Sequence, residues 1–169
     1  HPDGPSVVAS GEFEGMTLAQ VLKQHREFLG SHSKEKGELP ILIKLIDAKK
    51  NLSVQVHPND EYAMKYENGQ SGKTEMWYVM DCEKDTELIY GLLHNTDKNL
   101  LRESISKGSI ERLLQKVPVK KDDVFFIEAG TIHAIGAGAF IAEFHEISFY
   151  HKRISMSGVK RREMGEWRR

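Results

Sequence analysis

The chain holds 169 residues, 24 of them Lys or Arg and 25 Asp or Glu, which fits one domain with a sizeable core and leaves no length for a second full domain. Balanced charge offers no global field toward nucleic acid or a membrane, and no apolar run approaches the ~18 residues of a membrane span. The single cysteine, Cys82, excludes an internal disulfide and a CxxC zinc or redox motif, and the N-terminus lacks the layout of a signal peptide. Together these features predict a soluble, cytoplasmic protein.

Residues 1–15 are rich in Gly, Pro and Ser and read as loop, and a first residue His1 in place of Met predicts numbering that starts inside a longer product. Thr17 then caps "LAQVLKQHREFLG", an amphipathic helix with Leu18, Val21, Leu22 and Phe28 on one face and Gly30 at its end. A polar connector, "GSHSKEKGELP", leads into β-rich runs separated by turn signals. These are "ILIKLIDA" (41–48), "LSVQVH" (52–57), "EMWYVMDC" (75–82), "ELIYGLL" (87–93), "DVFFIEA" (123–129), "TIHAIG" (131–136) and "AFIAEFHEI" (139–147).

Between the fourth and fifth runs, "TDKNLLRESISKGSIERLLQKV" predicts two helical pieces, broken at Gly108, restarted by Ser109 and closed by Pro118. Its apolar stripe, Leu100, Leu101, Ile105, Ile110, Leu113 and Leu114, is expected to pack on the β layer and not on a partner. Short strands with few long helices predict an all-β sandwich or barrel with an N-terminal helix and a helical insertion over 96–117, not a parallel α/β sheet. At the end, Lys160, Arg161, Arg162, Arg168 and Arg169 gather around Trp167. One aromatic and no repeat make this a solvated basic terminus and not a nucleic-acid arm.

With one cysteine, any metal site must draw on His, Glu, Asp and amide oxygens that converge from different elements. In "SVQVHP" the period-two geometry of a strand points Gln55 and His57 to one face. Glu75 opens a strand directly after a Gly-Lys-Thr turn, His133 stands between Gly130 and Gly136, and Glu143 alternates with Ile141. Taken singly, each reads as an ordinary polar residue of a strand or turn. His25, His32, His94 and His151 lack this patterning, whereas His145, two residues beyond Glu143, has the spacing to face the same way. "GQSGKTEM" is no phosphate-cradling loop, because only two residues separate Gly69 from Gly72 and a strand-like run follows.

Read in order, "PILIKLIDAKKNLSVQVHPND", "GKTEMWYV" and "DDVFFIEAGTIHAIGAGAFIAE" resemble the metal-binding portion of type I phosphomannose isomerases, members of the cupin superfamily, from His1 to Glu143. The resemblance implies a cupin-like jelly-roll barrel over residues 1–147 with a divergent basic tail over 148–169. It implies a zinc-dependent aldose–ketose isomerase that interconverts mannose 6-phosphate and fructose 6-phosphate. One Zn²⁺ would sit on His57, Glu75 and His133, with Gln55 as a fourth ligand through its amide oxygen. Lys44, Ser53 and Glu143 would line the substrate pocket, and Lys73 would act as a catalytic cation beside the metal. The implied partner is a small sugar phosphate, with no nucleic acid and no membrane, and the oligomeric state stays open.

After Glu143 the family continues with a Gln-Gln-Asn-Ser-Asp-type segment and a Thr-Tyr-Arg, where this chain reads "FHEISFYHKRISM". Arg153 keeps the family's spacing of ten residues from Glu143 and is the catalytic arginine implied, while Phe149 takes the aspartate position. A changed reading frame near Phe144 is one explanation, since a permissible back-translation of His151 to Val159 contains a Thr-Tyr and a Tyr-Glu-Trp in another frame; the coding DNA tests it. Full-length members also carry a C-terminal cupin-like domain and a segment before the position of His1. Two functions follow, a phosphomannose isomerase or a catalytically impaired metal-binding cupin module that binds sugar or has a structural role.

Overall fold

The computed structural model describes residues 4–33, 39–69, 71–146 and 152–153, with 32, 33, 146, 152 and 153 described by backbone alone. The proposed division at residue 147 and most of the basic tail therefore lie outside the described residues. The chain divides into two compact units, His1–Leu42 and Ile43–Arg169. No helix among the described residues is long and apolar enough to cross a membrane.

In the first unit, Thr17 caps α1 (Leu18–Gln24) in a reciprocal capping box: Gln20 N–H donates to the Thr17 hydroxyl at 3.2 Å, and Thr17 N–H donates to Gln20 Oε1 at 2.8 Å. The single helix expected up to Gly30 ends sooner. His25 leaves helical geometry (φ −119°, ψ 67°), a 3-10 turn covers Arg26–Leu29, and α2 (Gly30–Ser33) follows. That break shifts the phase, so Leu29 joins Val21 and Leu22 among the buried residues while Phe28 is exposed and stacks on His25 with centroids 5.2 Å apart.

From Ile41 onward the chain forms two sheets. One has the order β1 (Ile41–Asp47), β8 (Ala139–Glu146), β3 (Glu75–Cys82), β6 (Val124–Ile127). The other runs β5 (Leu114–Pro118), β4 (Glu87–Leu92), β7 (His133–Ala134), β2 (Gln55–Val56), β9 (Lys152–Arg153). The registered pairs of β2, β3 and β4 with their neighbours are antiparallel, so the expected mostly-β architecture of packed antiparallel sheets holds. Trp77 and Val79 from β3, Ile141 from β8, Ile127 from β6 and Leu88 from β4 form one buried cluster that joins the two sheets. Each such side chain contributes about 1.5–3 kcal/mol on leaving water.

The sequence reading placed two helical pieces in the insertion; only the first forms as an α-helix. Asp97 caps α4 (Lys98–Ser106) by accepting from Asn99 N–H and Leu100 N–H. Beyond Gly108, in a left-handed conformation with φ 64°, a 3-10 turn spans Ile110–Leu113 and β5 begins at Leu114. The short stretch from Ile110 to Val117 makes a marginal helix, whereas pairing Leu114 with Leu92 and Val117 with Leu88 satisfies the backbone in a ladder. Pro118 is tolerated because β5 is an edge strand. The apolar stripe does pack inward: Ile110 and Leu114 join Val54, Ile132 and Ala134 in a second cluster, with Leu101 and Ile105 against it.

The strands expected over 52–57 and 131–136 shrink to Gln55–Val56 and His133–Ala134. Loop contacts replace ladder at their ends. Leu52 N–H donates to Ile135 O at 2.9 Å, Ala137 N–H donates to the Asn51 side chain at 2.8 Å, and Gly130 N–H donates to His57 O at 2.8 Å. One further helix, α3 (Asp60–Tyr66), is capped by Asn59, which accepts from Tyr62 N–H at 2.9 Å.

Candidate metal centre

Strand β3 alternates buried and half-buried residues from its first position, which turns Glu75, Trp77 and Val79 inward. His57 follows β2 immediately and precedes Pro58, where the ladder ends. The loop after it is pinned against the approach to β3: Lys73 N–H donates to Pro58 O at 3.1 Å and Gly72 N–H donates to Asp60 Oδ1 at 2.7 Å. Gly72 is required by contact, because a Cβ there would stand 2.6 Å from the backbone of Asn59 and Asp60. This packing brings Lys73 and Glu75 beside His57. His133 arrives from β7, whose Cα is paired with Gln55 on one side and Tyr90 on the other.

The result is a buried cluster of three side chains, His57, Glu75 and His133, whose candidate ligand atoms lie within 4.8 Å of one another. His57 Nε2 is 3.1 Å from Glu75 Oε1, and His133 Nε2 is 3.6 Å from Glu75 Oε2. The imidazole planes sit 4.8 Å apart by centroid, and the edge of Trp77 meets His133 at 5.4 Å. Trp77 Nε1–H donates to Glu75 Oε2 at 3.1 Å, and Lys73 Nζ is ion-paired with Glu75 Oε1.

The tautomer of His133 follows from its partner. Nδ1 lies 2.8 Å from the Thr131 carbonyl, an acceptor only, so the proton is on Nδ1 and Nε2 carries a lone pair. That lone pair has no hydrogen-bond partner and faces a carboxylate oxygen, with no proton between them. Burial is the largest influence on both groups. It pushes His133 down, toward the neutral form, against the pull of the Thr131 hydrogen bond and the Glu75 charge. For Glu75, burial alone would raise the pKa, but the hydrogen bonds from His57 and Lys73 and the lysine charge together hold it well below the usual carboxylate range. Two imidazoles and an ionised carboxylate, with one nitrogen oriented and otherwise unsatisfied, fit a divalent metal ion. His57, Glu75 and His133 could hold one.

A second polar group shares this interior. On β8, Glu143 is the Cα partner of Trp77 and His145 that of Glu75, so both carboxylate-bearing strands turn these residues to the same face. Lys44 Nζ reaches Glu143 Oε1 at 2.9 Å, and His145 Nε2 lies 3.4 Å from the same oxygen. His145, left open by the sequence, is thus a buried residue of the interior; its period-two spacing from Glu143 was the available signal. Trp77, which holds Glu75, had the same signal, two residues after a ligand candidate.

The remaining predicted residues are less tightly gathered. Gln55 is half-buried and directly opposite His133 in the ladder. Arg153 is paired by Cα with Gln55 on the other side, which places its backbone in the same cross-strand row; its side chain is outside the described residues. Ser53 is exposed. Two surface clefts, one along Asp47, Asp81 and Glu83 and the other along Gly91, His94 and Thr131, do not include the buried triad.

The sequence model of "Phosphomannose isomerase type I, catalytic domain" matches residues 1–107. The mannose-6-phosphate isomerase ManA of Bacillus subtilis is 48% identical over 144 residues, which are 85% of this chain and 44% of that protein. A mannose-6-phosphate isomerase of Streptococcus mutans is 43% identical over 149 residues, 88% of this chain and 46% of that protein. The crystal structure of the mannose 6-phosphate isomerase from Bacillus subtilis superposes with a TM-score of 0.79 at 39% identity, covering 91% of this chain and 48% of that one. The chain spans less than half the length of these relatives. With the catalytic-domain match covering most of its residues, and the buried His57–Glu75–His133 cluster set in the same fold, the chain belongs to the type I phosphomannose isomerase family.

Proposed function

We propose that this chain is the metal-dependent catalytic part of a mannose-6-phosphate isomerase, with one Zn²⁺ held by His57, Glu75 and His133 and with Gln55 as the fourth ligand through its amide oxygen. The observation that carries the reading is His133 Nε2, buried, unprotonated and without a hydrogen-bond partner, aimed at the Glu75 carboxylate 3.6 Å away. Two histidines and one carboxylate are a donor set of catalytic zinc. Family membership supplies the substrate class, a sugar phosphate.

Isomerisation moves a proton between C1 and C2 of the open-chain sugar through an enediol or enediolate. The bound ion would supply Lewis-acid polarisation of the sugar oxygens, with several kcal/mol of charge stabilisation available. Thr131 keeps His133 in the Nδ1–H tautomer so that Nε2 points inward, and Trp77 fixes the second oxygen of Glu75. Lys73 holds its ammonium buried beside the carboxylate, where it serves as a fixed cation for substrate oxygens. Lys44, paired with the buried Glu143, and Ser53 bind the sugar phosphate. Arg153 is the catalytic arginine, a role supported by its backbone register with Gln55.

A coupled isomerase assay with mannose 6-phosphate, run with and without a chelator beside zinc analysis of the purified chain, tests this. The expected result is about one zinc per chain and chelator-sensitive turnover. Replacing His133 by Ala is expected to abolish metal retention, and unchanged zinc content in that variant removes the site assignment. One observation favours a second reading, a metal-binding cupin module without turnover: after Glu143 the chain reads "FHEISFYHKRISM", with Phe149 where the family carries an aspartate. Bound zinc with no isomerisation selects that reading.

A further inference from the structure

Besides Glu75, the described residues bury one other carboxylate, Glu143, and two side chains address the same oxygen of it from different surroundings. Lys44 Nζ lies 2.9 Å from Glu143 Oε1, and His145 Nε2 lies 3.4 Å from that atom. Lys44 comes from β1, the edge strand of its sheet, and its side chain is 42% exposed. His145 stands two residues beyond Glu143 on β8, opposite Glu75 in the β3 ladder, and its side chain is 2% exposed. The lysine has room to move outward into solvent, whereas the histidine is enclosed next to a candidate metal ligand.

The sugar-phosphate reading asks Lys44 to bind the substrate's phosphate, and an ammonium that turns to a phosphate gives up the carboxylate it was paired with. Removing the partner of a buried charge is strongly unfavourable, because the charge is left uncompensated. Glu143 therefore needs a second partner at the moment Lys44 leaves. At 3.4 Å the His145 contact is longer than the usual N–H···O range of about 2.7–3.2 Å, so a small rotation of the carboxylate closes it once Lys44 releases Oε1. Imidazole suits that role, since an N–H at Nε2 donates to a carboxylate in the Nε2–H tautomer and in the protonated ring alike.

We propose, resting on the sugar-phosphate reading of the site, that His145 is the fixed positioning partner of Glu143 and Lys44 the exchangeable one. Lys44 can then turn to the phosphate of a sugar phosphate while the buried carboxylate keeps a partner. His145 acts through Glu143 and Lys44 and not on the sugar itself.

Calorimetric titration of the zinc-loaded chain with mannose 6-phosphate tests this in a double-mutant cycle. It pairs Lys44→Met with His145→Met, which fills similar space without an N–H. With Lys44 present, His145→Met is expected to weaken binding about tenfold, the scale of a hydrogen bond to a charged group. In the Lys44→Met background, where no exchange takes place, the same change is expected to cost less than about twofold. His145→Gln, with an N–H at the reach of Nε2, is expected to restore most of the affinity. A histidine with a structural role alone would weaken binding alike in both backgrounds, and that result overturns the proposal. Binding by His145→Met equal to that of the unaltered chain overturns it as well. Zinc content and unfolding midpoint are measured on each preparation, and if His145→Met does not fold, His145→Asn, whose shorter side chain withdraws the donor, takes its place. An unaltered chain that does not bind mannose 6-phosphate overturns the sugar-phosphate reading and this inference with it, whereas binding indifferent to His145 overturns the inference alone.

Discussion

At the scale of single residues, the centre depends on two hydrogen bonds that orient ligands before any metal binds. Thr131 decides which nitrogen of His133 is free, and Trp77 decides where one oxygen of Glu75 rests. Trp77→Phe removes the indole N–H together with part of the ring, so it is expected to weaken metal affinity about 10–100-fold, the usual cost of losing a supporting partner. Metal titration with a competing chelator measures it, and unchanged affinity would show that Lys73 and the histidines suffice to hold the carboxylate. The pH dependence of the metal-free chain has a definite sign. Below pH 6.5, the ordinary value for histidine, the unfolded chain takes a proton that buried His133 resists. Below pH 4.5, the ordinary carboxylate value, it takes one that Glu75 resists. In both windows the unfolded state binds more protons, so stability rises with pH and these contributions are complete above 6.5. Urea midpoints of the chelator-treated chain between pH 4 and 8 check this, and a midpoint that falls on raising the pH through 6.5 contradicts it.

At the scale of elements, backbone close approaches set the geometry. Gly136 follows β7, and a Cβ there would stand 1.8 Å from Glu87 O, the carbonyl at the start of β4. Gly136→Ala must therefore separate β7 from β4 and move His133 with it. The expected loss is roughly 1–3 kcal/mol together with reduced metal retention, measured by denaturant unfolding and metal analysis on the same preparation. Here the sequence was informative in part. The run "EMWYVMDC" placed Glu75 at the correct first residue of β3, and Thr17 marked the start of α1. The second half of the insertion misled, because adjacent Leu113 and Leu114 suit a short helix as well as a turn that enters a strand. Only the partner strand β4, distant in sequence from Leu114, decided between them.

At the scale of the whole molecule, the candidate metal centre sits where the ends of both sheets meet the loops, with Glu75 from one sheet and His133 from the other. An ion bound there would cross-link two layers that are otherwise joined by apolar packing. A ligand that binds only the folded chain stabilises it by about 2.7 kcal/mol at one hundred times its dissociation constant. Chelator treatment is accordingly expected to lower the thermal midpoint of the metal-loaded chain, with recovery on adding Zn²⁺; a midpoint indifferent to chelation would place the ion outside the load of the fold. The same two-layer view exposes the inverted polarity of β1. A reading of "ILIKLID" as a strand with one solvated face would put Lys44 on that face, yet Lys44 is half-buried and meets the buried Glu143 while Ile43 and Leu45 are exposed.

Local pattern alone was enough for what depends on neighbouring residues: the β-rich character, the capping of α1, Glu75 as the first residue of a strand, and the succession of motifs that carries the family resemblance. Those properties come from period-two geometry and turn chemistry, which a few consecutive residues determine. What required the tertiary structure was convergence. His57 and His133 are 76 residues apart in sequence, and nothing local states that their rings lie 4.8 Å apart by centroid around one carboxylate. The burial of His145 and the pairing of Lys44 with Glu143 likewise arise from which strands pair and which side of the sheet meets the core, and register between distant strands decides both.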